Sequence, residues 1–115
     1  MRPGVDLVRV AEVAAALDRF GPRYLRRVYR PGEVTDPARL AEHFAGKEAI
    51  FKALRCDPRL PLPWRDIEVV RGPDAAMSVV LHGHARRWAA SQGITRIDLS
   101  TSQRDGVAMA FAIAH

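Results

Sequence analysis

Cysteine is almost absent from this sequence, and no apolar run approaches the length of a membrane span. The one cysteine, Cys56, cannot form a disulfide within the chain and suits a reducing compartment. Apolar stretches fall short of the roughly 18 residues that a membrane-spanning helix needs. The N-terminal residues also lack a signal-peptide pattern, because Asp6 interrupts their apolar stretch. We therefore expect a cytoplasmic protein that does not contact the membrane.

Lysine is scarce too, since only two of the 18 lysine and arginine residues are lysines. The formal net charge of +5 favours an acidic partner or a phosphate-rich ligand. Five arginines are concentrated in one stretch: Arg19, Arg23, Arg26, Arg27 and Arg30. Such a run is usually a solvated helix face, and a surface for an acidic protein is the sharper alternative. Aromatic residues are not interleaved with these arginines in the way that base stacking requires, so we expect no nucleic-acid partner.

The length of 115 residues is typical of one domain, and the hydrophobic fraction of 48 % is ordinary for a globular protein. Periodicity predicts strands at residues 5–10, 66–70, 77–81, 94–101 and 107–114, and helices at 10–20, from 22, at 40–54 and at 82–92. A turn at 102–106 would join the last two strands. The last strand has small residues on one face, which close packing against a helix or against another subunit would explain.

The long helix at residues 40–54 is the element around which the chain is organised. Asp36 can cap it, with Pro37 at the first helical position. A stripe of apolar residues recurs at helical spacing: Leu40, Phe44, Phe51 and Leu54.

Two charges lie on the apolar side of this helix. At 100° per residue, Lys47 falls inside the stripe and Glu48 falls at its edge. In the simplest interpretation Lys47 extends its ammonium group to solvent, and Glu48 forms an ordinary i,i+4 pair with Lys52. The alternative is a functional site. Asp6 favours that alternative, because a carboxylate in an apolar strand must be paired, hydrogen-bonded or bound to a metal unless it only caps a turn.

Three stretches together resemble the holo-(acyl-carrier-protein) synthase family, the short single-domain 4′-phosphopantetheinyl transferases. Residues 4–6 match the Gly-x-Asp strand of the family and precede residues 19–29. Residues 44–49 read Phe-Ala-Gly-Lys-Glu-Ala, close to the family's Phe-Ala-Ala-Lys-Glu-Ala, with Lys52 at the position of its second lysine. Residues 64–70 and 99–102 complete the match, in the same order and at the same spacing.

The resemblance implies an α+β 4′-phosphopantetheinyl transferase fold, with a small antiparallel sheet packed against one long helix and shorter helices, in one domain at residues 1–115. It implies a homotrimer with active sites at subunit interfaces. It also implies Mg²⁺-dependent transfer of 4′-phosphopantetheine from coenzyme A to a serine of an apo acyl carrier protein, releasing 3′,5′-ADP and serving fatty acid or polyketide biosynthesis. The alternative is a relative that binds coenzyme A or a carrier protein without efficient transfer.

The family's site residues carry over by position. Asp6 and Glu48 are expected to bind the metal, since Mg²⁺ takes hard oxygen ligands beside substrate phosphates and water. Glu48 and Lys52 are expected to be catalytic, with the lysine neutralising phosphate charge. Coenzyme A is expected to contact Lys47, Lys52, Ser102 and Gln103. The carrier protein is expected to contact Arg19, Arg23 and Arg27.

Three departures from the family pattern predict a specialised or weakened transferase. Gln103 stands where the family has a histidine, and an amide cannot carry a proton. Arg9 and Glu12 exchange the signs of two family residues, so that Glu12 would repel an acidic carrier protein. His43 replaces a common arginine, and we interpret this as the loss of a permanent phosphate partner.

Overall fold

The computed structural model describes residues 1–33, 37–59 and 62–115. It has five strands, β1 (Arg2–Arg9), β2 (Ile67–Arg71), β3 (Met77–Leu81), β4 (Ile97–Arg104) and β5 (Val107–Ala114), and four α-helices, α1 (Val10–Phe20), α2 (Pro22–Val28), α3 (Leu40–Leu54) and α4 (Gly83–Ser91). Short 3-10 turns lie at Pro31–Glu33, Pro37–Arg39 and Trp64–Asp66. The α+β architecture with one long helix is therefore confirmed. None of the described helices is long and apolar enough to cross a membrane.

The strands form two antiparallel sheets, one in the order β1-β5-β4 and one made of β2 and β3. The turn between β4 and β5 differs from the predicted one, because it consists of Asp105 and Gly106 alone. Their φ angles are 52° and 77°, the left-handed values that a tight two-residue hairpin demands and that Asp-Gly supplies. Strand β4 consequently runs to Arg104, so that Ser102 and Gln103 lie in a strand.

Helix α3 is buried on more than one face, and the predicted stripe of Leu40, Phe44, Phe51 and Leu54 is only part of its buried surface. Eleven of its 15 residues are buried. Alanines and Ile50 form the most enclosed side, while Phe44 and Phe51 are only half-buried. A helix that packs against elements on several sides needs no single stripe. This burial explains why a charged residue at position 47 must find its partner inside the protein.

The small residues of β5 contact α3 of the same chain. Ala108, Ala110, Ala112 and Ala114 alternate inward and are buried, and α3 packs across β1 and β5. The two explanations left open for this strand are thereby decided in favour of a helix. The alanine face is covered by α3 and is not available for contact with another subunit.

Gly4 in β1 sets how closely α3 approaches the sheet. A Cβ atom at this position would lie 2.0 Å from the carbonyl oxygen of Ala49 and 2.7 Å from the amide nitrogen of Ala53. Only glycine permits backbone contact of this kind. The close approach brings the carboxyl-terminal half of α3 directly over the residues that follow Gly4 in β1.

The start of α3 differs in detail from the prediction. Pro37 opens a 3-10 turn, and the α-helix begins at Leu40, three residues later than expected. The proposed cap, Asp36, lies outside the described residues.

Candidate active site

Strand β1 and helix α3 bring Asp6 and Lys52 together. Asp6 lies two residues after Gly4, so its side chain is on the same face of the sheet and is directed towards α3. The ammonium Nζ of Lys52 donates to Oδ1 of Asp6 at 2.9 Å and to the carbonyl oxygen of Val5 at 3.0 Å. The simple i,i+4 pairing of Lys52 with Glu48 is therefore not what the structure shows. Lys52 is instead the cation of the β1 carboxylate.

Glu48 lies on α3 one turn before Lys52 and is half-buried. Burial raises the pKa of its carboxyl group, the negative charge of Asp6 raises it further, and Lys52 offsets only part of this. Asp6 and Glu48 are therefore close enough to repel one another. Two neighbouring carboxylates with only one ammonium group beside them form a site that an additional cation would stabilise.

The two carboxylates at this site fit Mg²⁺, which does not need to be enclosed by many protein ligands. The described residues contain no group of three or more His, Cys, Asp or Glu side chains that could enclose a metal. Mg²⁺ commonly takes one or two carboxylates from the protein and completes its shell with water and substrate phosphates. Asp6 and Glu48 supply that number of hard oxygen ligands.

A cavity of about 520 Å³ lies beside these residues. Glu48, Lys52 and Arg55 contribute charged groups to its wall, and Phe51, Leu62 and Trp64 contribute apolar surface. Such a cavity suits a ligand that has both an anionic and an apolar part.

Lys47 does not reach this cavity, and its predicted contact with the ligand is contradicted. Its side chain is fully buried, with Nζ 2.9 Å from the carboxylate of Glu33 and 3.3 Å from the carbonyl oxygen of Trp64. It also donates to the carbonyl oxygen of Ile67. Burial lowers the pKa of Lys47, and the Glu33 carboxylate only partly opposes this. Lys47 therefore belongs to the interior of the protein and does not extend to solvent.

Glu33 is a buried acid that the sequence interpretation missed. Its carboxylate accepts hydrogen bonds from the amide nitrogens of Arg30 at 2.8 Å and Val69 at 3.2 Å. Burial alone would raise its pKa, but the hydrogen bond with His43 and the charge of Lys47 bring the pKa below its usual value. The position of Lys47 could have indicated this acid, because an ammonium group in an apolar stripe requires a buried carboxylate.

His43 is also an interior residue. It is buried, and its Nδ1 lies 3.4 Å from Oε1 of Glu33. The ring is directed away from solvent, so the loss of a phosphate partner at position 43 stays a prediction, and the histidine has an interior partner instead. A second missed acid, Glu42, is buried beside it and binds Arg39 at 2.8 Å, Arg71 at 3.2 Å and Thr101 at 3.1 Å.

Ser102 is not brought to the Asp6–Glu48 site within one chain, whereas Gln103 pairs with Ala108 and so lies on the same face of the sheet as Asp6. Both are exposed, and Ser102 pairs with Met109, which pairs in turn with Leu7. These three residues alternate to the outer face of the sheet, opposite the face on which Asp6 lies. A contact between Ser102 and a ligand held at Asp6 of the same chain is therefore excluded by the sheet between them.

The predicted carrier-binding arginines lie on α1 and α2. Arg23 and Arg27 line an open groove of about 440 Å³ together with Phe20 and Trp64. The guanidinium carbon of Arg19 lies 5.3 Å from the ring centroid of Phe20. All three arginines are exposed, and Arg23 and Arg27 share one basic groove with an apolar floor.

The chain resembles known proteins over nearly its whole length. The model of the 4′-phosphopantetheinyl transferase superfamily matches residues 2–112. A holo-[acyl-carrier-protein] synthase of Koribacter versatilis is 37 % identical, covering 96 % of this chain and 94 % of the relative. The synthase of Desulforudis audaxviator is 42 % identical, covering 96 % of this chain and 89 % of the relative.

Solved structures of holo-[acyl-carrier-protein] synthases are also similar to this chain. The holo-[acyl-carrier-protein] synthase of Neisseria meningitidis superposes with a TM-score of 0.86 at 28 % identity, covering 99 % of this chain and 97 % of that one. The Helicobacter pylori synthase in complex with coenzyme A superposes with a TM-score of 0.84 at 26 % identity, covering 98 % of this chain and 99 % of that one.

Proposed function

Because the chain belongs to the 4′-phosphopantetheinyl transferase superfamily, we propose that it transfers 4′-phosphopantetheine from coenzyme A to a serine of an apo acyl carrier protein. Its relatives over 96 % of the chain are holo-[acyl-carrier-protein] synthases, and the chain is an enzyme of this class. The observation that carries the proposal is the convergence of Asp6, Glu48 and Lys52 at the edge of one mixed polar and apolar cavity.

Each residue of the site has a part in the reaction. Asp6 and Glu48 would hold Mg²⁺, which supplies charge neutralisation and polarisation of the coenzyme A pyrophosphate. Lys52 neutralises charge on the phosphates and on the leaving 3′,5′-ADP. Arg55 adds a second cation to the same wall, while Trp64 offers apolar surface for the pantetheine arm.

The chemical step exchanges one oxygen for another at phosphorus. The serine hydroxyl of the carrier protein attacks the phosphate that bears pantetheine, a new oxygen–phosphorus bond forms, and the bond to 3′,5′-ADP breaks. Glu48 removes the serine proton, directly or through a water molecule.

We also propose that the active enzyme is a cytoplasmic homotrimer in which residues 1–115 act as one domain. Exposed apolar side chains occupy the outer face of the β1-β5-β4 sheet, including Leu7, Met109 and Phe111. Ser102 lies on this face, so it would meet coenzyme A across a subunit boundary. Gln103 lies on the other face of β4 and is proposed to contact coenzyme A as well, and replacing it with histidine should increase the rate of transfer.

Mass spectrometry of the carrier tests the function. The protein is incubated with coenzyme A, Mg²⁺ and a panel of apo carrier proteins, and the expected result is the mass gain of one phosphopantetheine on a carrier. The matched control is the same carrier with its acceptor serine replaced by alanine. Binding of coenzyme A without any modified carrier would show a relative that has lost transfer.

A further inference from the structure

The buried Lys47–Glu33 pair joins three separate segments of the chain. Lys47 uses its three donors on Glu33, on the carbonyl oxygen of Trp64 and on that of Ile67. Glu33 in turn accepts hydrogen bonds from the amide nitrogen of Arg30 and from that of Val69 in the middle of β2. The pair therefore ties α3 to the Pro31–Glu33 turn and to the Trp64–Asp66 turn.

The Trp64 turn carries one wall of the cavity. The indole ring contacts Phe44, with ring centroids 5.2 Å apart, and Phe51, with centroids 4.9 Å apart. Phe44, Lys47 and Phe51 follow one another at helical spacing on α3. One face of the helix thus holds the backbone of Trp64 through Lys47 and its side chain through the two phenylalanines. Trp64 faces the same cavity as Glu48 and Lys52.

A buried ion pair is a poor means of stabilisation alone, because removing two charges from water costs about as much as their attraction returns. Hydrogen bonds to specific carbonyl oxygens do fix direction, which an apolar side chain of the same size cannot do. The contacts of Lys47 thus fit an orienting role better than a purely stabilising one.

We propose that Lys47 and Glu33 are positioning residues that hold the Trp64 wall against the pantetheine part of coenzyme A. The proposal rests on the function proposed above, since it needs coenzyme A in the cavity beside Glu48. It gives Lys47 a part in substrate binding without any contact with substrate.

Fluorescence of Trp64 provides a readout that is independent of turnover. The chain has two tryptophans, Trp64 and Trp88, so Trp88→Phe leaves Trp64 as the reporter. In this background we compare Lys47→Met/Glu33→Gln, which removes both charges together, with the parent. Coenzyme A should change the Trp64 emission of the parent, and the double variant should bind with a Kd about tenfold higher.

Glu42→Gln is the matched control, because Glu42 is equally buried on the same helix and belongs to a separate network with Arg39, Arg71 and Thr101. This variant should lose thermal stability and keep the parental Kd for coenzyme A. If Glu42→Gln weakens coenzyme A binding as much as the double variant does, the effect is general loosening and the positioning role is overturned.

The remaining outcomes separate the two proposals. A folded double variant with the parental Kd overturns the positioning role and leaves the proposed function intact. A parent protein that shows no coenzyme A binding by calorimetry overturns the proposed function itself. Should the double variant not fold, Trp64→Ala carries the test by calorimetry, and an unchanged Kd would show that Trp64 is not a wall of the site.

Discussion

Lys52 holds Asp6 through a contact of 2.9 Å between Nζ and Oδ1, so the free protein has its own cation at a carboxylate proposed to bind Mg²⁺. The lysine side chain is 55 % exposed, whereas that of Asp6 is 15 % exposed. The ammonium group can therefore swing towards an arriving phosphate more easily than the carboxylate can move. Once Lys52 contacts a phosphate, Asp6 would be released to bind the metal. Binding of the phosphate would therefore favour binding of the metal.

The first prediction concerns Lys52→Met. Removing the ammonium group should lower kcat/KM for coenzyme A by about 10²-fold, since one charged donor to the phosphates is lost. It should also strengthen Mn²⁺ binding in the absence of coenzyme A, because Asp6 no longer has a competing cation. Electron paramagnetic resonance of free Mn²⁺ measures the second effect. Arg59→Met removes a more exposed cation and is the control. Weaker Mn²⁺ binding by the Lys52→Met variant than by the parent would contradict the competition between Lys52 and the metal for Asp6.

The second prediction concerns Glu48→Gln, a nearly isosteric change that removes the charge. Transfer should fall by about 10²–10⁴-fold, the usual contribution of a positioned base, while circular dichroism stays the same. A variant with full turnover would show that Glu48 has only a structural part.

The raised pKa of Glu48 gives a third prediction, for stability against pH without metal. A carboxyl group whose pKa is higher in the folded state favours folding most at pH values below its unfolded pKa, and loses this contribution as pH rises through the folded pKa. Glu48→Gln should therefore melt at a higher temperature than the parent at pH 7 and at nearly the same temperature at pH 4. Calorimetric scans at both values measure the difference. The opposite order would mean that Asp6 and burial do not destabilise the charged form.

The site was only partly predictable from sequence, and Glu48 and Lys47 show why. Charges on the apolar side of a helix indicate that something unusual is nearby, and for Glu48 the neighbour is Asp6 on β1. For Lys47 the neighbour is Glu33, 14 residues earlier in a 3-10 turn that has no periodicity to reveal it. Helical spacing predicts which face of its own helix a side chain occupies. It does not predict which residue of another element lies opposite that face.

The fold was more predictable, and the errors have local causes. The order and type of the elements follow from periodicity, as in α1 and α3. The β4–β5 turn was placed too early because polar residues at 102–103 resemble a loop, although Asp105-Gly106 is the stronger turn signal.

The fourth prediction tests the close approach of α3 at Gly4. Gly4→Ala should destabilise the protein by about 1–3 kcal/mol or more, because its Cβ would overlap backbone atoms that cannot rotate away. Gly32→Ala is the control, since the nearest atom to its Cβ is a side-chain oxygen of Glu68 at 4.0 Å. Chemical unfolding of both variants measures the difference. Equal stabilities would show that α3 can retreat from β1 without cost.

The last prediction concerns carrier docking through Arg23. Charge reversal in Arg23→Glu should raise the KM for an acidic carrier protein more than the KM for coenzyme A, because this arginine lines the groove beyond Trp64 and not the cavity beside Glu48. The effect should shrink at high salt, since exposed charges are screened over roughly 8 Å at physiological ionic strength and over less at higher concentrations.

Arg86→Glu reverses an equally exposed charge on α4 and should change neither constant. Glu12→Arg should lower the KM for the carrier if this α1 acid repels it. A salt-independent effect at Arg23, or an equal effect at Arg86, would mean that the carrier docks on another surface. It would also remove the reason for assigning a function to the exchanged charges of Arg9 and Glu12.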